Sequence, residues 1–185
     1  MQFHGPSRAS RPQCGFTVLE LMVTVSIAGL LLVTGIPSFQ NFSQQQHIKA
    51  AVASLQNDLM IGRSEAVHLN ARVVSCPGSP VNGCSGDTEW SDGWIVFADS
   101  NADRQHQPGE FILRHGHGFE NLRIVSSTGR TSIRFFPDGS TPGSNGNITF
   151  CGLGGPDQAR KLIISNLGRV RREAAPDMDT ANCPR

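Results

Sequence analysis

The apolar residues of this chain are concentrated near its start. The run from residue 16 to residue 36, FTVLELMVTVSIAGLLLVTGI, is 21 residues long and contains one charged side chain, Glu20. As a helix rising about 1.5 Å per residue, it would be roughly 30 Å long, which matches the hydrocarbon core of a bilayer. The polar segment before it carries Arg8 and Arg11 and no acidic residue, which predicts that the N-terminus stays on the cytoplasmic side.

A second helical pattern follows the apolar run. Between residue 39 and about residue 69, apolar residues recur at intervals of three or four, with one longer gap, at Ile48, Val52, Leu55, Leu59 and Ala66. This spacing predicts that the helix continues as an amphipathic helix and that its apolar stripe packs on the rest of the chain. Pro37, between the two segments, is expected to kink the helix.

Beyond residue 70 the pattern changes to short apolar segments separated by glycine and proline. This spacing is typical of antiparallel β-sheets. The predicted strands are Arg72–Cys76, Gly93–Asp99, Glu110–Arg114, Leu122–Ser126, Ile133–Pro137, Asn147–Cys151 and Arg160–Ser165. The chain is therefore expected to be α+β, with a long N-terminal hydrophobic and then amphipathic helix packed on a C-terminal antiparallel β-sheet head.

Composition narrows the range of functions. The chain has 185 residues and a formal net charge of +1, which argues against a protein that binds nucleic acid over its whole surface. Of its 16 basic residues 14 are arginines, which suit planar partners such as phosphate and carboxylate. The sequence has no nucleophile elbow, P-loop, dinucleotide fingerprint or H-E-x-x-H motif, so we expect no enzyme activity, cofactor or catalytic metal.

The start of the apolar run carries a recognisable motif. Residues 15–24 read GFTVLELMVT, which resembles the class III signal of type IV pilins and type II secretion pseudopilins. The resemblance implies cleavage after Gly15 by a prepilin peptidase and N-methylation of Phe16. It also implies that Glu20 pairs with the α-amino group of a neighbouring subunit during assembly. An ordinary signal peptide lacks support because no small-residue cleavage site follows the run, and a plain signal anchor leaves Glu20 unexplained.

Two segments of the remaining chain resemble the GspH/FimT family of minor pilins and pseudopilins. Residues 59–66 read LMIGRSEA, and residues 90–97 read WSDGWIVF. In the first segment, Arg63 and Glu65 either pair across the helix–sheet junction or are two solvated charges. In the second, Trp94 and Phe97 are expected to be core aromatic residues.

Cysteine usage is consistent with export. Of the five cysteines, cleavage after Gly15 would remove Cys14 and leave an even number for disulfides. Four cysteines allow three pairings, and we expect Cys76–Cys84, which would close a Gly/Pro loop, together with Cys151–Cys183. The spacing of Cys76 and Cys84 does not suit zinc.

Two other groups of residues are possible metal ligands. The stretch from Asp99 to Glu110 places oxygen ligands at EF-hand spacing, but its sixth position is Arg104 rather than glycine, so we expect a solvated hairpin and keep calcium as the alternative. His115 and His117 are expected in a polar turn.

A basic cluster near the C-terminus is the main candidate binding site. Residues 165–172 read SNLGRVRR, and no acidic residue lies between residues 160 and 172. If Gly168 forms a turn, Arg169 and Arg171 would point to the same side of an extended chain, where they suit DNA phosphates. The Gly-Arg-x-Arg sequence resembles the motif that FimT-type members use to bind DNA in natural transformation. The predicted DNA-binding residues are Arg160, Lys161, Gly168, Arg169, Arg171 and Arg172. The alternative is pairing of these arginines with Glu173, Asp177 or Asp179.

These features together predict a minor type IV pilin. Its parts would be a leader (residues 1–15), a membrane and pilus-core helix (16–37), an amphipathic continuation (38–70) and a β-rich head (71–185). The precursor would cross the inner membrane once with its head in the periplasm, and then assemble into a surface pilus with other minor and major pilins. The head would bind double-stranded DNA. The alternatives are a structural minor pilin that primes assembly and the H-type pseudopilin of a type II secretion system.

Overall fold

The protein is an α+β molecule, as the sequence predicts. The computed structural model describes residue 15, residues 17–152 and residues 158–175, without the side chains of residues 34–38 and 41. This part of the chain forms one α-helix and nine β-strands, and it divides into two compact units with the boundary between Gln40 and Asn41.

Helix α1 spans Val18–His68. Its N-terminus is capped by Thr17, whose Oγ1 accepts a hydrogen bond of 3.2 Å from the backbone N–H of Glu20, as in the first half of a T-x-x-E capping box. At the C-terminus, Asn70 adopts a left-handed conformation with φ of 49°, which ends the helix. The kink predicted at Pro37 involves residues whose side chains lie outside the described part, and it stays a prediction.

The first unit exposes an unusual amount of apolar side chain. Leu30, Leu31 and Leu32 are 72%, 67% and 60% exposed, and residues from Val18 onward are similar. A contiguous apolar surface of this kind needs apolar neighbours, either lipid or protein.

Within the described residues, no helix is both long enough and apolar enough to cross a bilayer. The predicted membrane segment, residues 16–37, includes Phe16 and the side chains of residues 34–38, which lie outside that description. The transmembrane assignment stays a prediction.

The second unit contains two antiparallel sheets. In the first, the strands run in the order β2-β1-β3-β4, with β6 also paired to β1; in the second, the order is β5-β7-β8-β9. The strands are β1 Val73–Ser79, β2 Gly83–Cys84, β3 Gly93–Ala98, β4 Ile112–His117, β5 Leu122–Ser126, β6 Ile133–Phe135, β7 Gly146–Gly152, β8 Arg160–Ile164 and β9 Val170–Ala174.

The apolar stripe of α1 packs between these sheets. All five residues of the predicted stripe are at most 4% exposed, and they share one core with side chains from both sheets, including Trp94 and Phe150. Gly62 lies on the same helix face, where an added Cβ would come within 2.9 Å of Val96 Cγ1. The helix therefore approaches the first sheet more closely than any side chain would allow at this position.

Three parts of the strand pattern differ from expectation, and the first is the two-residue strand β2 (Gly83–Cys84), which was not predicted. The fourth strand is shifted towards the C-terminus, so His115 and His117 lie in β4 rather than in a turn. Strand β9 was not expected, because its sequence VRREA is mostly charged. It forms because its backbone pairs with β8 over five residues, from Ile164↔Val170 to Arg160↔Ala174.

Candidate nucleic-acid interface

The predicted turn at Gly168 joins β8 to β9. Gly168 has φ of +74° and its backbone N–H donates a 2.8 Å hydrogen bond to the carbonyl oxygen of Ser165. A Cβ at position 168 would lie 1.9 Å from the carbonyl oxygen of Gly139. Both the backbone conformation and the close neighbour require glycine, so Gly168 shapes the turn and offers no side chain to a ligand.

Arg169 and Arg171 flank Val170, which packs against the core. Arg171 lies within β9 and therefore points to the opposite, outer side of the sheet, whereas Arg169 immediately precedes the strand. Both arginines are exposed. The guanidinium of Arg169 has no hydrogen-bond or ion-pair partner within the described part of the chain.

Arg171 has a carboxylate neighbour. Its Nε lies 3.3 Å from Glu173 Oε1, and the Nζ of Lys161 lies 3.9 Å from Glu173 Oε2. The Arg171 side chain is 53% exposed, whereas that of Lys161 is only 11% exposed. Arg171 can therefore reach a ligand while its charge is partly balanced. Lys161, although predicted as a DNA contact, is largely covered.

Arg160 and Arg172 do not share the outer side. Their cross-strand partners Phe150 and Leu162 are fully buried, which places both arginines on the inner, helix-facing side of the sheet. Arg172 Nε donates to the side-chain oxygen of Gln56, and Arg160 donates to the carbonyl of Ala159 at 2.9 Å. Alternation along β8 and β9 therefore divides the predicted DNA-binding basic residues between two faces of the sheet, and their contact with DNA stays a prediction.

Arg63 holds the turn in place. Its Nε donates to the carbonyl oxygen of Gly139 at 2.9 Å, and its terminal nitrogen donates to the carbonyl oxygen of Leu167 at 3.1 Å. It thus ties α1 to two turns, instead of pairing with Glu65 or remaining solvated. The sequence carries a signal for this role: Arg63 is four residues after Leu59 and three before Ala66, so it lies on the buried stripe itself.

A groove opens beside the turn. It has a volume of about 550 Å³ and is lined by Met60, Arg63, Ser64, Val67, His68, Gly168, Arg169 and Val170. The groove leaves the Arg169 side chain accessible from the side of the helix end.

The loop from Asp99 to Glu110 is organised by hydrogen bonds within itself. Glu110 accepts the backbone N–H groups of Ser100 at 2.9 Å and Gln107 at 3.1 Å, and Asp103 accepts that of Gln105 at 2.8 Å. Asp99 is 3% exposed, and burial raises the pKa of its carboxyl above the ordinary value. Among the described residues, no three His, Cys, Asp or Glu side chains are grouped as a metal site requires.

His115 and His117 lie next to one another on β4. Their ring centroids are 5.3 Å apart in an edge-to-face arrangement. They form a two-residue pair on the sheet edge, without a third ligand in the part of the structure described.

The cysteines and the N-terminal motif complete the predicted sites. Cys76 and Cys84 form a disulfide between residues eight positions apart. Cys151 is also disulfide-bonded; Cys183, its predicted partner, lies outside the described residues. Gly15 and Glu20 are exposed, while Phe16 lies outside the description.

Sequence and fold comparisons agree on the class of protein. Residues 10–36 match the prokaryotic N-terminal methylation motif. The fold is similar to crystal structures of the type IV minor pilin FimU of Pseudomonas aeruginosa. In one crystal form the TM-score is 0.58 at 23% identity, covering 71% of this chain and 92% of that chain. In a second form the TM-score is 0.52, with 68% and 91% covered. A methylation motif followed by a long helix and an antiparallel head defines a type IV pilin-like protein.

The family follows from the sequence. Residues 51–168 match the family described as Type II transport protein GspH. The chain is also 32% identical over 165 residues to Pilin-like protein PilA1 of Thermus thermophilus, covering 86% of this chain and 97% of that protein. The chain belongs to the GspH family. Members of this family are structural pilins rather than enzymes.

Proposed function

We propose that this minor pilin binds duplex DNA without sequence preference, through Arg169 and Arg171, during uptake of DNA in natural transformation. The observation that carries the proposal is the free, exposed guanidinium of Arg169 next to a turn that Gly168 and Arg63 hold rigidly. A fixed backbone reduces the entropy lost when the side chains bind a ligand.

The geometry of the hairpin suits a phosphate backbone. Residues two apart on a strand are separated by about 6.6 Å and face the same way. Arg169 and Arg171 can therefore reach different phosphates, and each guanidinium can donate two parallel hydrogen bonds. Contacts to phosphates carry no sequence information, so binding would be non-specific.

Charge predicts weak and salt-sensitive binding. Cleavage after Gly15 would remove Arg8 and Arg11, leaving 14 basic against 15 acidic side chains. The head then has no net positive charge to attract DNA from a distance, and the hairpin acts only within about a Debye length of roughly 8–10 Å. Glu173 beside Arg171 weakens the attraction further.

The N-terminal motif is the basis for a proposal about processing and location. We propose that a prepilin peptidase cleaves after Gly15 and that Phe16 is then methylated. The precursor is anchored once in the inner membrane with its head in the periplasm, and the mature protein assembles with other minor and major pilins into a surface pilus. The exposed apolar helix supports this, since lipid and neighbouring helices would cover it in turn.

An assembly role is the second candidate. The contacts of Arg171 and Lys161 with Glu173 support this role, because they balance the positive charge of the hairpin, and a charge-balanced surface suits contact with another protein. In that case the hairpin would face a neighbouring pilin, either in a pilus that the protein helps to prime or in a type II secretion pseudopilus.

A DNA-binding titration of the mature full-length protein in non-ionic detergent micelles tests the proposal. Fluorescence anisotropy with two duplexes of unrelated sequence is recorded over a series of salt concentrations. The variant R169Q/R171Q removes the two charges that flank Val170 at the start of β9. The matched control R160Q/R172Q removes two charges from the inner side of the hairpin.

We expect the parent protein to bind both duplexes equally. R169Q/R171Q should bind several-fold more weakly, and the slope of log affinity against log salt should become shallower by about 0.9 for each phosphate that is no longer neutralised. R160Q/R172Q should change much less. Equal weakening in the two variants would show that only net charge matters, and absence of salt-sensitive binding by the parent would favour the assembly role.

A further inference from the structure

A second group of arginines surrounds the ring of Phe136. The guanidinium carbon of Arg134 lies 4.7 Å from the ring centroid, and that of Arg72 lies 5.6 Å from it. Arg104, in the neighbouring loop, contributes a third positive charge that acts on Arg134. We call Arg72, Arg104, Arg134 and Phe136 the Phe136 patch.

The arginines of the Phe136 patch have no partner for their charge. No carboxylate forms an ion pair with any of the three among the described residues, whereas Arg114, Arg123 and Arg171 each have one. The Nε of Arg134 is buried without a hydrogen-bond acceptor. Burial lowers the pKa of Arg134, the positive charges of Arg104 and Arg72 lower it further, and the carboxylate of Asp99 opposes them.

Asp99 fixes the backbone of this patch. The N–H of Asp99 donates to the carbonyl oxygen of Arg72 at 2.9 Å, and its Oδ2 accepts the N–H of Arg104 at 3.3 Å. Arg134 is fixed separately, on β6, opposite Val74 of β1. Three like charges are thus held together by the backbone, with Asp99 as the one carboxylate acting on Arg134 among the described residues. Such an arrangement costs energy unless an anion occupies it.

The patch is connected to the β8–β9 turn. Phe136 begins a turn in which its carbonyl oxygen accepts the N–H of Gly139, and Gly139 in turn contacts Gly168 and Arg63. The next residues bond directly to the hairpin: Thr141 N–H donates to the carbonyl oxygen of Asn166, and Thr141 Oγ1 donates to that of Ser165. Arg169 and the Phe136 patch therefore flank one hydrogen-bonded pair of turns.

We propose that the Phe136 patch is a second DNA-binding surface, which contacts the phosphate backbone beyond the segment held by Arg169 and Arg171. This inference rests on the proposed function and extends it. The phenyl ring supports the guanidinium planes of Arg72 and Arg134, so their N–H edges remain available to phosphate oxygens. Phosphates would supply further negative charge, since Asp99 is the one carboxylate among the described residues that acts on these three arginines.

The test uses the same anisotropy titration with the mature full-length protein. R72Q/R104Q removes the two exposed charges and keeps Arg134, whose partial burial makes it more sensitive to substitution. R72K/R104K is the matched control, because it retains the charge at both positions. Each pair is also combined with R169Q/R171Q, and thermal melts establish that every variant is folded.

We expect R72Q/R104Q to bind several-fold more weakly and its salt slope to fall by about 0.9 for each phosphate that it no longer neutralises. R72K/R104K should retain most of the binding, and the quadruple glutamine variant should be weaker than either double variant. Parent-like binding by R72Q/R104Q, with weaker binding by R169Q/R171Q, would overturn the Phe136 patch and leave the proposed function intact.

Other results separate the two proposals differently. Weaker binding by R72Q/R104Q alone would support the patch and contradict the role of the hairpin. If the parent binds no DNA, both proposals fail. If polyglutamate displaces DNA as effectively as polyphosphate of equal charge, the patch recognises carboxylates, and an acidic protein surface replaces DNA as its ligand.

Discussion

The indole N–H of Trp94 on β3 donates a 2.9 Å hydrogen bond to Oδ2 of Asp58 on α1. Asp58 is only 3% exposed, and its other oxygen lies 3.2 Å from Nε of Arg114 on β4. Gly116 leaves room for the indole, because a Cβ there would lie 2.1 Å from Trp94 Cε2. One carboxylate therefore joins the helix to two strands inside an otherwise apolar interface.

Removing this carboxylate should destabilise the head. In D58A the Trp94 N–H and the Arg114 guanidinium are both left without their acceptor, and hydrogen bonds to a charged group contribute about 1.5–3 kcal/mol. D58N keeps one oxygen for Trp94 and should be destabilised less. Urea denaturation measures the difference, with E65Q on the same helix as the control. Denaturation midpoints equal to that of the parent would contradict the proposed role of Asp58.

Alanine at Gly168 should distort the β8–β9 turn. A left-handed conformation costs a non-glycine residue about 1–2 kcal/mol, and the overlap with the Gly139 carbonyl adds about 1–3 kcal/mol. Gly129 is a matched control, because its φ of +76° is similar but an added Cβ there meets nothing within 4 Å. Thermal melts should therefore show a larger decrease in stability for G168A than for G129A. Similar decreases would mean that the close approach to Gly139 is unimportant.

The sequence predicted the helix and strands whose formation depends on the local spacing of apolar residues. The helix stripe from Ile48 to Ala66 and the strand Leu122–Ser126 follow from apolar spacing, and both are found as expected. Strand β9 could not be predicted because its stability comes from pairing with β8 rather than from its own side chains.

The candidate binding site was harder to predict than the fold. Once strand β9 is known, alternation predicts that the side chains of Arg171 and Arg172 point to opposite faces of the sheet. The low exposure of the Lys161 side chain could not be predicted in this way, because it depends on tertiary packing. The Phe136 patch brings together residues from three separate segments, and no sequence spacing links them.

Stability should depend on the ionisation of Asp99. Burial raises the pKa of its carboxyl above the ordinary 3.8, so the folded state holds the proton more tightly than the unfolded state does. The stability contributed by protonated Asp99 is present below pH 3.8 and is lost as pH rises through the raised pKa. D99N should therefore become more stable relative to the parent as pH increases from about 3 to about 7.

The pKa of Asp138 is shifted in the opposite direction from that of Asp99. Hydrogen bonds from the Ser140 hydroxyl and N–H lower the pKa of the Asp138 carboxyl. D138N should become less stable relative to the parent as pH rises, because the ionised form stabilises the fold. Thermal melts across the same pH series measure both variants. Parallel pH profiles for D99N and D138N would contradict this assignment.

Cys151 should be linked to Cys183 in the exported protein. With Cys76 bonded to Cys84 and Cys14 in the leader, Cys183 is the remaining candidate for the bonded Cys151. Such a bond typically contributes about 2–4 kcal/mol. Peptide mapping under non-reducing conditions should recover the Cys151–Cys183 pair, and C183S should expose a free thiol at Cys151. A link from Cys76 to either cysteine would show that the pairing is wrong.

The mature chain should begin with N-methylated Phe16. The Gly15–Phe16 junction, with Glu20 as the fifth residue of the mature sequence, is the basis for this prediction. Mass spectrometry of the protein from its native membrane measures the N-terminal peptide directly. Recovery of the intact leader where other prepilins are processed would contradict it.

The two hydrogen bonds of Arg63 have a mechanical consequence. A load applied to the β8–β9 turn reaches α1 in a single step, through the carbonyl oxygen of Leu167 and the guanidinium of Arg63. The adjacent turn is held by the same side chain through Gly139. A load on a molecule held by Arg169 would therefore be shared between the ladder of β9 on β8 and the helix.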